Sequence, residues 1–334
     1  MAYFDSIRLE KGMYGVSGKS FTQVLEEMDP SENYERTEWE GLDAYQRQLR
    51  RFDIQVGGPA CSNVERFFQS SDSAALFPEF IARAVRQGME RADRLPSLVA
   101  TITRIDATDY RTIVAETQAQ DSTTVKEGAA LPTTTILQQK NLVSLQKRGR
   151  LLSSSYEALR FHKLDLFAVT LRQIGAELAR ELLQDAVTVL VDGDGNSNAA
   201  ESTPLSAKPT YADMINLWGS VAPYELNTLV ASTASMKDLL AISEFQDAAA
   251  GLNFQGTGKL ATPLGANLIH VPSLEGNTVL GLDKNCALEM VQAGDIVTDA
   301  DKLIDRQMEQ AAISTIAGFA KIFKDAVKAV TYGG

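Results

Sequence analysis

The sequence predicts an α+β protein, and three stretches predict it. Between Leu164 and Leu190, the residues Leu164, Phe167, Leu171, Ile174, Leu178, Leu182, Ala186 and Leu190 recur at three- and four-residue steps. That spacing is one face of an α-helix, and Leu, Ala, Glu, Arg and Gln, all good helix formers, fill most remaining positions. The helix is expected to be roughly 40 Å long, the width of a domain. Residues 209–298 alternate helical segments with short apolar runs such as LNTLVA, which describes helices on a small sheet. Residues 117–139 are polar and threonine-rich between two strand-like segments, the pattern of an extended hairpin.

Taken in order, residues 1–75 read as an extended arm with short helices at Phe21–Met28, Glu38–Arg51 and Ser62–Gln69. No segment has the apolar surface for its own core, yet Trp39, Tyr45, Phe67 and Phe68 call for burial. The arm is therefore expected to fold against neighbours. Leu76 to Arg94 is a helix with Pro78 in its first turn. Phe80, Ile81, Ala84, Val85 and Met89 form its apolar stripe, and Arg83, Arg86, Arg91 and Arg94 mark the other side. Leu98–Ile105, Tyr110–Glu116 and Thr133–Gln146 are strand-like. Asp192 and Gly193 stop the long helix, since glycine accepts the left-handed conformation found at helix ends.

Beyond it, Thr210 is placed to cap a helix running to Val221, with Asp213 closing the turn. Ser232 and Thr233 precede a helix from Ser235 to Ala241. Leu226–Ala231, Leu268–Val271, Thr278–Leu282 and Ala287–Val291 are expected strands. Phe245 to Lys259 reads as a glycine-containing loop and Asp299 to Asp305 as a polar hinge. Ala311 to Phe323 reads as a long strand returning to the helix and the first strands.

Composition narrows the function. The chain of 334 residues is 44% hydrophobic, enough for a sizeable core, and no apolar run reaches the ~18 residues of a membrane span. The N-terminus lacks the pattern of a signal peptide. Cys61 and Cys286 are far apart and outside any CxxC, which fits a reducing compartment. His162 and His270 are the only histidines, too few for most triads or zinc sites. A net charge of −11 argues against nucleic-acid binding over the whole surface and leaves room for one basic face.

Motifs for chemistry are missing. There is no P-loop, GxGxxG, nucleophile elbow or HExxH. Gln255–Lys259 approaches a phosphate loop, but Asn253 and Leu260 stand where Gly and Ser or Thr belong. Asp192–Asn196 starts like a calcium loop, but Ser197 and Thr203 stand where the turn glycine and bidentate glutamate belong. Glu177 and Glu181 sit one turn apart beside Arg180 and read as a solvated face. No catalytic, cofactor or metal residue is assigned.

The order of parts is arm, helix, hairpin, long helix, α+β segment, returning strand. Several motifs accompany it: VKEGAALP at 125–132, LLSSSYEAL at 151–159, the helix ending in DGDG at 192–195, TPLGANLIHVPSL at 262–274 and FAKIFKDAVKAV at 319–330. Together they resemble the major capsid protein of tailed bacteriophages, the Hong Kong 97-type shell fold, over residues 75–334.

The resemblance implies an N-terminal arm, 1–75, expected to be retained in the assembled state. It implies a peripheral domain of 76–208 and 299–334, with an extended loop near 117–139 and a spine helix near 153–192. It implies an axial domain of 209–298. Copies of the chain would gather as pentamers and hexamers into an icosahedral head around double-stranded DNA, bound without sequence preference. Portal and scaffolding or decoration proteins would be further partners, with no membrane and no cofactor. The place would be the virion, assembled in the bacterial host cytoplasm. Lys126, Glu127, Gly128 and Pro132 fall in the inter-subunit loop, and Leu164, Leu171, Ile174, Leu178 and Leu182 form the spine core. Arg83, Arg86, Arg91 and Arg94 are candidates to face DNA. The alternative is an encapsulin-like nanocompartment around a cargo enzyme.

Overall fold

The structure, a computed structural model, describes residues 4–16, 19–117, 124–125, 127–128, 134–155, 161–247, 262–294, 296–303 and 308–333. The helices are α1 (Phe21–Met28), α2 (Ala44–Arg51), α3 (Ser71–Ala74), α4 (Phe77–Ala92), α5 (Leu164–Asp192), α6 (Tyr211–Ser220) and α7 (Thr233–Leu240). The strands are β1 (Thr101–Ile105), β2 (Ile113–Thr117), β3 (Thr134–Gln138), β4 (Gln146–Ser155), β5 (Glu201–Leu205) and β6 (Thr228–Ala231). They continue as β7 (Asn267–His270), β8 (Thr278–Leu282), β9 (Leu288–Ala293), β10 (Val297–Leu303), β11 (Met308–Lys321) and β12 (Val327–Tyr332). The chain forms two compact units: Met1–Ala92 with Arg148–Ala179 and Ile296–Thr315, and Asp93–Lys147 with Arg180–Asp295 and Ile316–Gly334. Helix α5 and strand β11 each supply residues to both.

The first unit is built around α4 and the opening turns of α5. Leu76, Ile81 and Val85 share a buried cluster with Leu164, Leu171 and Leu178. The two helices approach so closely that a Cβ on Gly88 would lie 2.0 Å from the Arg172 carbonyl oxygen. One on Gly175 would lie 2.0 Å from that of Val85. Only glycine permits such backbone contact.

The arm joins the same cluster through Ile7, Leu9, Phe21, Leu25, Tyr45, Leu49, Val64 and Phe67. These residues are thus buried on their own chain, where the sequence pointed to neighbours. Each short helix is too small for a core, but several laid on α4 complete one. Ser20 with Gln23, and Asp43 with Gln46, form capping boxes that start α1 and α2. The second helix begins at Ala44 rather than Glu38, because Gly41 turns the chain at φ 81° and Asp43 is the cap. Ser62–Gln69 folds as a 3₁₀ turn from Val64 with Asn63 before it.

One buried cation ties the arm together. Arg47, fully buried, donates from Nε to Asp29 at 2.8 Å, and its other nitrogens reach the Asp29 and Leu42 carbonyls and Ser31. Its guanidinium also stacks 4.2 Å from the Tyr34 ring centre. Arg47→Met should cost about 3–5 kcal/mol, because the buried Asp29 loses its cation and keeps only the Tyr34 hydroxyl as a side-chain donor. A urea titration of the variant checks this, and an unchanged midpoint would contradict it.

Two further expectations give way here. Residues 146–155, which overlap the spine segment anticipated from 153, form strand β4 paired with β11, and the helix begins only at Leu164. Gly149 permits that pairing, since a Cβ there would lie 2.6 Å from the Ile313 carbonyl oxygen. The expected hinge at 299–305 is strand through Leu303, paired antiparallel with β11 from Val297↔Ser314 to Leu303↔Met308. Pairing uses backbone groups, so the charged Asp299, Asp301 and Lys302 do not prevent it at a sheet edge.

The second unit holds a five-stranded sheet in the order β5-β12-β8-β6-β7. Helices α6 and α7 contribute Met214, Leu217, Met236 and Leu239 to its core, against Leu229, Val279 and Val330. The Thr210–Asp213 capping box starts α6, and Ser232 caps α7. The last strand, β12, pairs with β8 from Val327↔Leu282 to Thr331↔Thr278, so it belongs to this sheet. Its burial alternates only loosely, which hid its partner in the sequence. Strand β5, with Pro204 and exposed side chains, carried no signal at all. Beside this sheet, β1 runs parallel to β9, and β9 antiparallel to Ala317–Lys321.

Candidate functional site

The feature that asks for a partner is a two-stranded ribbon in the second unit. Strands β2 and β3 pair antiparallel from Ile113↔Gln138 to Thr117↔Thr134, with no third strand among the described residues. Such a ribbon is marginal in water by itself. Its apolar side chains also face solvent, with Ile136 66%, Ile113 54% and Leu137 45% exposed. Covering them on another surface would recover the hydrophobic stabilisation they now forgo. Of the loop residues chosen from the sequence, Glu127 and Gly128 are exposed, and Gly128 takes a φ of 80° that favours glycine. Lys126 and Pro132 lie outside the described residues, as does Gln255–Lys259.

The ribbon stands on a polar root. On the outgoing side, the buried Glu289 of β9 accepts hydrogen bonds from Thr103 and Thr112 and, at 2.8 Å, from the Tyr110 hydroxyl. Burial and then that bond raise the Tyr110 pKa, so the phenol stays a donor. On the returning side, Gln139 and Asn141 engage the loop after α5. Asn196 Nδ2 donates to Gln139 Oε1 at 2.7 Å and to Asp194 Oδ1 at 2.9 Å. Asn141 donates from its backbone to Asn196 Oδ1 at 3.0 Å and from Nδ2 to the Gly195 carbonyl at 2.6 Å. Asp194 N–H donates to Asn198 Oδ1 at 3.0 Å.

The buried Lys321 completes the root. Its backbone N–H donates to Asp194 Oδ2 at 2.9 Å, its ammonium to the Asn198 carbonyl at 2.7 Å, and its carbonyl accepts from Gln139 Nε2 at 2.7 Å. In the DGDG stretch, the Asp194 carboxylate thus serves Asn196 and the Lys321 backbone, and the Gly195 carbonyl serves Asn141. No group of three or more His, Cys, Asp or Glu placed to hold a metal occurs among the described residues.

The candidate DNA-facing arginines divide. Arg83 is bound within the chain: it pairs with Asp43 at 2.7 Å and Glu79 at 2.9 Å, and lies 4.3 Å from the Tyr45 ring centre. Burial pulls its pKa down, but its hydrogen bonds to Asp43 and Glu79 outweigh that and leave it raised. Its charge is neutralised locally and offers little to a polyanion. Arg86, Arg91 and Arg94 are exposed. The helix residues sit as the periodicity indicates: Leu164, Leu171, Leu178 and Leu182 are buried, and Ile174 is partly buried against the core.

Glu289, Lys321, Gln139 and Asn196 were not found from sequence. They are single polar residues on separate segments, and only the fold assembles them. No helix among the described residues is long and apolar enough to cross a membrane.

Comparison with known proteins places this geometry. A family model described as phage capsid protein matches residues 138–331, more than half of the 334-residue chain. No curated protein matches at the sequence level. Among solved structures, the capsid of a native GTA particle is similar with a TM-score of 0.52 and 13% identity, covering 74% of this chain and 91% of that one. A virus-like particle from Pyrococcus furiosus matches at TM-score 0.50 and 14% identity, covering 75% and 98%. A chain from Mycobacterium phage Bobi matches at TM-score 0.51 and 15% identity, covering 72% and 91%.

Proposed function

This chain belongs to the phage capsid protein family, and from that premise we propose how it works as the major capsid protein of an icosahedral head. Its fold is the Hong Kong 97-type shell fold. The observation that carries the function is the family match over residues 138–331, which takes in α5 and the β5-β12-β8-β6-β7 sheet. It favours a phage head over a cargo-enclosing nanocompartment, which the sequence left as the alternative.

In this reading, copies of the chain form pentamers and hexamers, and the ribbon of one lies on the next. Ile113, Ile136 and Leu137 would be covered there, each contact modest and repeated around the shell. The 117–139 region is the extended loop, α5 the spine, and 209–298 the axial part, now joined by β5 and β12. Negative charge overall keeps like subunits soluble, while local basic residues meet packaged double-stranded DNA without reading sequence. Arg86, Arg91 and Arg94 are the exposed candidates. Portal and scaffolding or decoration proteins are further partners, and assembly takes place in the host cytoplasm.

Reversing the charge in an Arg86→Glu, Arg91→Glu double variant should leave shells intact and reduce retained DNA. Particles with a normal nuclease-resistant DNA content would count against that assignment.

A further inference from the structure

The ribbon leaves the second unit from a mount that is complete in the single chain. Thr112 and Gln139 face each other where the two strands reach the body, the Gln139 N–H donating to the Thr112 carbonyl at 2.9 Å. Both residues are buried, and both side chains are held from within. Thr112 gives its hydroxyl to Glu289 of β9, and Gln139 bonds the Lys321 carbonyl of β11 and Asn196. Further along, the Val143 N–H donates to the Tyr110 carbonyl at 2.9 Å, and Val143 packs with Val291 and Ala320. There the returning segment lies directly on β11. A Cβ on Gly318 would meet the Ser144 carbonyl oxygen at 2.5 Å and Val143 Cγ1 at 3.0 Å. Glu289 ties the outgoing segment: Oε1 accepts from Thr103 and Tyr110 and Oε2 from Thr112, so one buried carboxylate gathers three hydroxyls.

We propose that Glu289 and Gly318 are positioning residues for the subunit contact: the carboxylate hub and the glycine seat aim the ribbon in the free chain, so that Ile113, Ile136 and Leu137 meet a neighbour already oriented. This rests on the ribbon being a contact through which copies assemble. A ribbon loose at its root would lose conformational freedom at every docking event, and a shell repeats that loss at each subunit. One mounted beforehand has lost it during folding. Glu289 and Gly318 are both buried and act through the segments they hold.

The hub needs acceptor geometry more than charge. An amide at position 289 accepts from Tyr110 and Thr103 through its oxygen and donates to the Thr112 hydroxyl through its nitrogen. A methyl group there leaves all three hydroxyls without their acceptor. The seat needs the absence of a side chain, since the atom above Gly318 is a backbone oxygen.

Hydrogen exchange of the full chain, held below the concentration at which it assembles, reads the mount. In the native chain the Gln139 and Val143 amides should be protected, as those of β8 are. Glu289→Ala should lower protection of those two amides about tenfold or more with β8 unchanged, and Glu289→Gln should restore it. Gly318→Ala should lower protection at Val143. Native root amides that exchange as freely as solvated ones, no loss in Glu289→Ala, or no rescue by glutamine would overturn the proposal. So would an equal loss at β8, because the residue would then stabilise the unit without aiming the ribbon. If Glu289→Ala does not fold, Thr112→Val decides: it takes one hydroxyl from the hub and should lower Gln139 protection, and unchanged protection would overturn the proposal. Particle counts complete the test. Glu289→Ala should give far fewer shells than the native chain or Glu289→Gln, and native shell numbers from a chain with a loosened root would overturn the positioning role. A native chain that forms no shells defeats the capsid reading instead, and exchange that still follows the hub tells the two failures apart.

Discussion

Gly175→Ala should destabilise the chain severely, although it adds one methyl group and a better helix former. The new Cβ would lie 2.0 Å from the Val85 carbonyl oxygen and 2.9 Å from the Met89 nitrogen. These are backbone atoms of α4, so no side chain can swing aside. The helices must part, and with them the packing of Ile81 and Val85 against Leu171 and Leu178. Over-packing usually costs about 1–3 kcal/mol, and an immovable neighbour puts this case at or above the upper end. Gly88→Ala should behave alike, as its Cβ would meet the Arg172 carbonyl at 2.0 Å. Gly219 is the control: it ends α6 with nothing within 4 Å of a Cβ. Gly219→Ala should be neutral or stabilise by up to about 1 kcal/mol. Urea midpoints for the three variants measure this. A Gly175→Ala chain as stable as the native one would refute the close crossing.

Leu171→Asp or Leu178→Asp should abolish shells by unfolding the subunit. Both leucines are fully buried in the first unit's core. Truncating such a leucine to alanine alone costs about 2–5 kcal/mol. A carboxylate adds the cost of burying a charge without a partner. The sum is comparable with the whole stability of a typical domain, about 5–15 kcal/mol. Soluble chain recovered after expression, and particles counted by negative-stain microscopy, should both fall to background. Normal particles from either variant would remove these residues from the core.

What the sequence disclosed follows from how locally each feature is encoded. Helix α5 was legible because its periodicity repeats over many turns, and the Thr210–Asp213 cap because its partners are three residues apart. The hairpin showed through composition. Partners in sheets were not legible: β12 pairs with β8 some fifty residues away and β10 is too polar to look like a strand. The glycines at 88 and 175 looked like minor blemishes in helices, and their purpose appears only when α4 and α5 meet. The ribbon's root was invisible for the same reason. Glu289 and Lys321 gain meaning from contacts with residues more than a hundred positions away. Arg83 shows the converse error, since a charge placed on a polar stripe turned out to serve Asp43 and Glu79.

Cryo-electron microscopy of the purified, expressed chain tests the central claim most directly. The expected result is closed icosahedral shells of pentamers and hexamers, with Ile113, Ile136 and Leu137 of each ribbon covered by an adjacent subunit. A monodisperse small oligomer, or shells in which the ribbon stays exposed on its own subunit, would contradict it.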